Sequence, residues 1–341
     1  MFLRLQWFFL MVLLSLNHMI VASPQLNKFI EKVGNVAGNV MDQWIKFKLD
    51  NFKQFSPEED AKRFNIFKQN LEIIDNYRKK FLNGEISFQV GINQFTHLTK
   101  AEFLTQFLTL KPPQRTFQKR DLSSRSNRTT RQVPAYVDWR NTGAVTSVKD
   151  QKDCASCWAF SAVGSLESQY FLRTGNLVSM SEQNLIDCTN DGCSGGWMGN
   201  AFQYLSNNKI TSESEYGYSG TRGTCNFRPK QFGLSIKGFQ TIPGDEFTLQ
   251  QMVASVGPVS AAIDASNLQF YAGGIFRDDE CSKEQVNHGI LVVGYGSEGG
   301  RDYWLIKNSW GSKWGEDGYF KLIRNKANEC NIASYAMYPL L

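Results

Sequence analysis

The chain has 341 residues, 42% of them hydrophobic, with a net charge of +5. That length suits two or three units, and that apolar content excludes a disordered chain. The charge is uneven: up to residue 133 there are 20 Lys+Arg against 11 Asp+Glu (+9), and from residue 134 there are 17 against 21 (−4). Opposite charge favours association of the two parts. The scattered basic residues form no recognisable nucleic-acid module, so no nucleic-acid partner is expected.

The first residues carry Arg4, an apolar run from Leu5 to Leu16, and small residues at Ala22 and Ser23. This is the layout of a cleaved signal peptide, placed at 1–22. The run is too short to span a bilayer comfortably, and no other segment is a candidate, so no membrane insertion is expected. The chain is expected in the secretory pathway, where disulfides form.

Residues 40–82 read as helix, with Trp44, Phe47 and Phe52 as an apolar stripe and a break at Ser56-Pro57. The second helix places Glu59, Arg63, Phe67, Asn70 and Ile74 on one face. Residues 111–133 are rich in Pro, Ser, Thr and Arg and read as an exposed linker; they hold the one glycosylation acceptor pattern, at Asn127. After Pro134 a helix is predicted from an N-cap at Ser156 to Gly175, a shorter one near Ser181–Cys188, and another after Gly195-Gly196. "GILVVGYG", "YWLIKNSW" and "GYFKLIRN" read as strands. Helices come first and strands second, which predicts an α+β unit in two lobes with a groove between them.

Seven cysteines, at 154, 157, 188, 193, 225, 281 and 330, leave at least one thiol without an intramolecular partner. Cys157 falls in the first turn of a predicted helix, where the dipole favours a thiolate. Nucleophilic chemistry also needs a proton acceptor and a group that holds it. Of the three histidines, His18 lies in the signal segment, His97 lies before the linker, and His288 remains, 131 positions after Cys157. Asn308, a further 20 on, can bond one ring nitrogen and leave the other facing sulfur. A zinc site would want a second ligand pair at fixed spacing, and none stands out; no metal or cofactor is expected.

"DQKDCASCWAFSAVGSLE", "CSGG", "NHGILVVGYG" and "YWLIKNSWGSKWGEDGYF" resemble the signature blocks of the papain-like cysteine peptidases. "VPAYVDWR" is similar to the mature N-terminus of that family. The Glu59–Ile74 series and Gly91-Ile92-Asn93-Gln94-Phe95 resemble the propeptide motifs of cathepsin-L-like zymogens. The resemblance implies a papain-like fold: a helical left lobe, a β-barrel-like right lobe, a cleft between them, and an N-terminal helical inhibitory propeptide at 23–133 before a mature domain at 134–341.

The resemblance also implies that Cys157 is the nucleophile, His288 the acid/base and Asn308 its orienter. Gln151 with the Cys157 N–H would form the oxyanion hole, and Trp310 and Trp314 would shield the His–Asn bond. Substrate would lie along Gly195, Gly196 and Asn287, with a side-chain pocket formed by Trp197, Met198, Ala262, Val286 and Tyr335. Pairings Cys154–Cys193, Cys188–Cys225 and Cys281–Cys330 are implied, with Cys157 free. Implied partners are protein or peptide substrates, the chain's own propeptide and cystatin-like inhibitors; a monomer is expected, lysosomal or secreted. Four departures stand out: Ala155 where the family usually has Gly, Lys152-Asp153 beside Gln151, and His97 and Arg78 in the propeptide motifs. Ala155 and the Lys152-Asp153 pair keep one alternative alive, a catalytically inactive homologue that acts as a binding or inhibitory protein.

Overall fold

A computed structural model describes residues 39–113, 133–282 and 284–341. The signal segment and Asn127 lie outside these residues. The described chain divides into two compact units, one ending at Phe64 and one beginning at Asn65.

In the first unit, residues 39–50 form helix α1, and helix α2 (Pro57–Leu82) begins after the break predicted at Ser56-Pro57. Proline suits the first helical position because its missing N–H would be unsatisfied there anyway. Trp44 is fully buried, stacks on Phe47 and Phe55, and sits beside a Lys48–Asp60 bridge of 2.7 Å. Phe52 departs from the predicted stripe. It lies in the turn after α1 at φ 51° and is 88% exposed, because the helical period has already ended.

In the second unit, the buried face of α2 carries Ile66, Phe67, Asn70 and Ile74. Asn70 is a polar residue on an apolar face, and it is satisfied: its Nδ2 donates to Thr96 O at 2.8 Å and Leu98 O at 2.9 Å. This fixes the turn at 93–98. Strand β1 (Phe88–Val90) precedes it. Helix α3 (Lys100–Phe107) follows, opened by a capping box of Thr99 and Glu102.

Strand β2 (Val137–Asp138) leads to helix α4 (Cys157–Thr174), then α5 (Glu182–Cys188) and α6 (Met198–Leu205). Ser156 precedes α4 but makes no capping bond. Its hydroxyl lies 2.9 Å from Tyr218 OH instead, a tertiary partner that outcompetes the local one. Gly175 ends α4 at φ 76°, the left-handed conformation a helix terminus needs. Ser181 caps α5 through Asn184 N at 3.0 Å. These helices share a core of Trp158, Val163, Leu166, Leu185 and Phe202.

The rest is sheet: β3 (Gly238–Ile242), helix α7 (Glu246–Ser255), β4 (Val259–Ile263), β5 (Tyr271–Phe276), β6 (His288–Glu298), β7 (Arg301–Lys307), β8 (Tyr319–Ile323) and β9 (Ala336–Leu340). The three predicted strand runs fall in β6, β7 and β8. Among the described residues the strand order is β1-β5-β8-β7-β6-β4-β9-β3, with β2 on β6. This is an open path, so the right lobe is a mixed sheet that is not closed into a barrel. β1 extends the sheet by antiparallel pairing on β5. The close approach of Ser87 there requires Gly274, at φ 80°, since a Cβ would strike the Ser87 carbonyl.

Disulfides join Cys154–Cys193, Cys188–Cys225 and Cys281–Cys330, and Cys157 is free and buried.

Candidate active site

Cys157 is the first residue of α4, and His288 is the first residue of β6. Strand and helix pack so closely here that a Cβ on Gly289 would come within 3.1 Å of the Cys157 carbonyl. The backbone N–H groups of Gly289, Trp158 and Cys157 itself favour a thiolate, but burial outweighs them and pushes the thiol up to about 11. The helix start alone predicts a lowered thiol pKa. With the site covered, desolvation decides the sign.

His288 is fully buried, and its Nε2 lies 2.8 Å from Asn308 Oδ1. That oxygen also accepts the Ser309 N–H at 2.8 Å, so the Asn308 oxygen faces the ring and Nε2 carries the proton. Nδ1 is buried without a hydrogen bond; the Phe107 carbonyl is near the ring but outside hydrogen-bonding geometry. Burial pulls the imidazole down to about 4, against the Asn308 bond, which favours the charged form. Trp310 lies over the ring at 4.6 Å between centroids, and Trp314 meets Trp310 edge-on at 4.8 Å.

Gln151 is fully buried and held on three sides. Its N–H donates to Ser309 O at 2.8 Å, its Oε1 accepts from Ser309 Oγ at 2.7 Å, and its Nε2 donates to Cys154 O at 3.1 Å. Ala155 keeps ordinary backbone geometry and bonds Cys193 O at 3.3 Å, so its methyl is accommodated. Lys152 stands at φ 51°, a conformation that favours glycine.

The N-terminal segment covers all of this. Phe95 and Phe103 pack edge-on against Trp310, each at 5.4 Å, and Gln94 Nε2 donates to Trp310 O at 2.5 Å. Gln106 Nε2 donates to Asp153 Oδ1 at 2.8 Å. The carbonyl of Thr109 lies so close over Gly195 that only glycine fits. Leu110 N donates to Asn287 O at 3.1 Å and Lys111 N to Gly196 O at 2.9 Å. Between those two bonds the Leu110 side chain enters an apolar cluster with Trp197, Met198, Ala262, Val286 and Met337, with Tyr335 packed against it. The Tyr335 ring meets Trp197 edge-on at 5.4 Å.

The structure therefore brings the segments that carry Cys157, His288, Asn308, Gln151, Trp310 and Trp314 to one place. Sequence reasoning missed Ser309, which grips Gln151; Met337 in the pocket; and Leu110, which fills it. It also missed a buried charge cluster behind the site: Lys149, Glu167, Glu182 and Lys307. No spacing signal marks these residues, since long charged side chains read as surface.

Residues 133–340 match the pattern described as papain family cysteine protease, and residues 44–103 match the cathepsin propeptide inhibitor domain (I29). Cathepsin L1 of Drosophila melanogaster is 43% identical over 320 residues, covering 89% of this chain and 85% of that protein. Digestive cysteine proteinase 3 of Homarus americanus is 43% identical, covering 87% and 94%. The solved structure of digestive procathepsin L 3 of Tenebrio molitor larval midgut is 44% identical, covers 89% and 99%, and superposes with a TM-score of 0.81.

Proposed function

The chain belongs to the papain family of cysteine proteases and is a cathepsin-L-like zymogen whose propeptide is an intramolecular inhibitor; from this premise we propose that it is an endopeptidase working through Cys157, His288 and Asn308. The observation that carries the reading is a free cysteine at a helix start that packs against the strand start of a histidine whose Nε2 is tied to an asparagine and whose Nδ1 is unused. Once the site is uncovered, Nδ1 takes the thiol proton and the sulfur attacks a peptide carbonyl. The oxyanion is met by the Cys157 N–H and the second N–H of Gln151 Nε2. His288 protonates the leaving amine, and water cleaves the thioester.

Activation is proposed to follow removal of residues 23–133, after loss of the signal segment 1–22, leaving 134–341. Acid favours it for a stated reason. Covered His288 titrates at about 4 instead of 6.5. The covered form binds fewer protons than the open form in that window, so its advantage is full above 6.5 and shrinks as pH falls towards 4. Cys157, raised from 9.0 to about 11, makes the covered form lose ground only above 9, so it plays no part in acid. Propeptide release should therefore accelerate between pH 6.5 and 4; a flat rate across that window would refute the proton link. His97, buried in the 93–98 turn, is a second candidate sensor. His97→Asp should change the activation pH, and an unchanged value would remove it.

Leu110 marks the pocket's taste for an apolar side chain, and Tyr335 makes that pocket shallow. Peptides with Leu or Val before the residue at the cut should outperform those with Phe or Trp; equal cleavage would count against Tyr335 as the limit. We place the enzyme in the secretory pathway, lysosomal or secreted, as a monomer open to cystatin-like inhibitors. Among the described residues no helix is long and apolar enough to cross a membrane.

The deciding experiment is acid treatment of the precursor with an irreversible epoxysuccinyl label. Label on Cys157 alone, appearing together with peptide cleavage, is the expected outcome. A shortened chain with neither label nor activity would overturn the reading.

A further inference from the structure

Three buried ionisable side chains, Glu167, Glu182 and Lys307, and the partly buried Lys149 lie behind the site, and the chemistry described above does not use them. Lys149 Nζ donates to Glu167 Oε1 at 2.9 Å, to both oxygens of Glu182 at 2.8 and 3.0 Å, and to Met180 O at 3.0 Å. Glu167 Oε2 accepts from Thr146 Oγ1 at 2.6 Å, and Thr146 Oγ1 accepts from Lys307 Nζ at 2.9 Å. Glu167 and Glu182 are each 1% exposed. Among the described residues Lys307 has no carboxylate within ion-pair distance; it reaches Glu167 only through the Thr146 hydroxyl. A cavity of about 20 Å³, one water in size, is lined by Lys149, Glu167, Glu182, Lys307, Asn308 and Ser309. Glu213 is a further nearby acid, and its Oε1 accepts the Tyr218 N–H at 2.8 Å.

The ends of this relay stand next to the reacting groups in the chain. Lys149 lies two residues before Gln151, and Lys307 immediately precedes Asn308. Outside the relay, the two segments are joined through Ser309, which bonds both the backbone and the side chain of Gln151, and through the Gly311 N–H, which donates to Lys149 O at 3.1 Å. Resting on the Cys157–His288–Asn308 reading, we propose that the Lys307–Thr146–Glu167–Lys149 relay is a positioning element: it clamps the segment carrying Gln151 to the strand end carrying Asn308. The oxyanion donor and the imidazole then keep one fixed separation. A buried hydrogen-bonded network suits that task, because its directional bonds favour one arrangement where apolar packing admits several. Burial lowers Lys307 to about 8, in keeping with an ammonium that lacks a direct counter-charge.

The test uses full-length precursor, acid-activated, in three variants. Lys307→Met removes the under-paired charge and is expected to fold, since a buried ammonium without a carboxylate partner is itself costly to hold. Thr146→Val keeps both charges but breaks the relay, and it should lower stability. Thr146→Ser restores the hydroxyl. Positioning predicts that the first two lose about tenfold in kcat with KM within twofold, although their stabilities move in opposite directions. In both, the pH of half-maximal alkylation of Cys157 by iodoacetamide should rise, and Thr146→Ser should recover both readouts. An unchanged kcat in Lys307→Met, a loss in Lys307→Met alone (a charge effect), or a kcat that follows melting temperature across the set would overturn the proposal. Failure of the underlying reading looks different: Cys157→Ala would retain cleavage with the relay intact.

Discussion

Two polar clusters a few residues apart in the chain meet the same low-dielectric interior with different partners. At Cys157 and His288 burial neutralises: the thiol is pushed up to about 11 and the imidazole down to about 4, and His288 Nδ1 has no hydrogen bond. At Lys149, Glu167 and Glu182 pairing opposes burial: the Lys149 ammonium is shared between two carboxylates, although burial still raises Glu182 to about 7. The first cluster is covered by a removable segment, the second by the permanent cores of both lobes. A group meant to ionise later can be held neutral at modest strain, whereas a permanent buried charge must be matched at once.

The largest expected effect breaks the first cluster. Cys157→Ala or His288→Ala should each lower kcat by about 10⁵-fold or more, and the double variant should be little worse than either single one, because the two act as a unit. Additive losses in peptide hydrolysis would sink that coupling. A smaller effect breaks the second cluster. In a Cys157→Ala background, which prevents self-cleavage, Glu167→Ala should destabilise the fold by about 3 kcal/mol, because it strips a counter-ion from Lys149 and an acceptor from Thr146. Guanidinium unfolding of the precursor measures this, and a loss under about 1 kcal/mol would show that the cluster relaxes into its cavity. The smallest effect sharpens the contrast at the surface. Gln106→Ala removes the exposed bond to Asp153 and should weaken inhibition by the propeptide only about twofold. A tenfold change in the inhibition constant would mean that this rim contact matters as much as the buried aromatic contacts on Trp310.

Much of the candidate site was legible from sequence because its residues are scarce. One histidine remains after the linker, one cysteine is odd, and an amide stands at a suitable distance from that histidine. Element types were legible where period and punctuation agreed, as in α2, in α4 with Gly175, and in β6 to β8. The failures share a cause. Local pattern makes Ser156 a cap and Phe52 part of an apolar stripe. In the fold the serine hydroxyl turns to Tyr218, and Phe52 leaves the helix in a left-handed turn.

The sequence by itself thus determined the family, the candidate reacting side chains and the helical inhibitory segment, since these rest on residue identity and short-range spacing. Only the tertiary structure decided the open strand order, the seat of Leu110, the direction in which the thiol and imidazole titrate, and the relay behind them. Each depends on which distant side chains exclude water from the same few ångströms. Desolvation is a property of that enclosure, and no local pattern in the chain encodes it.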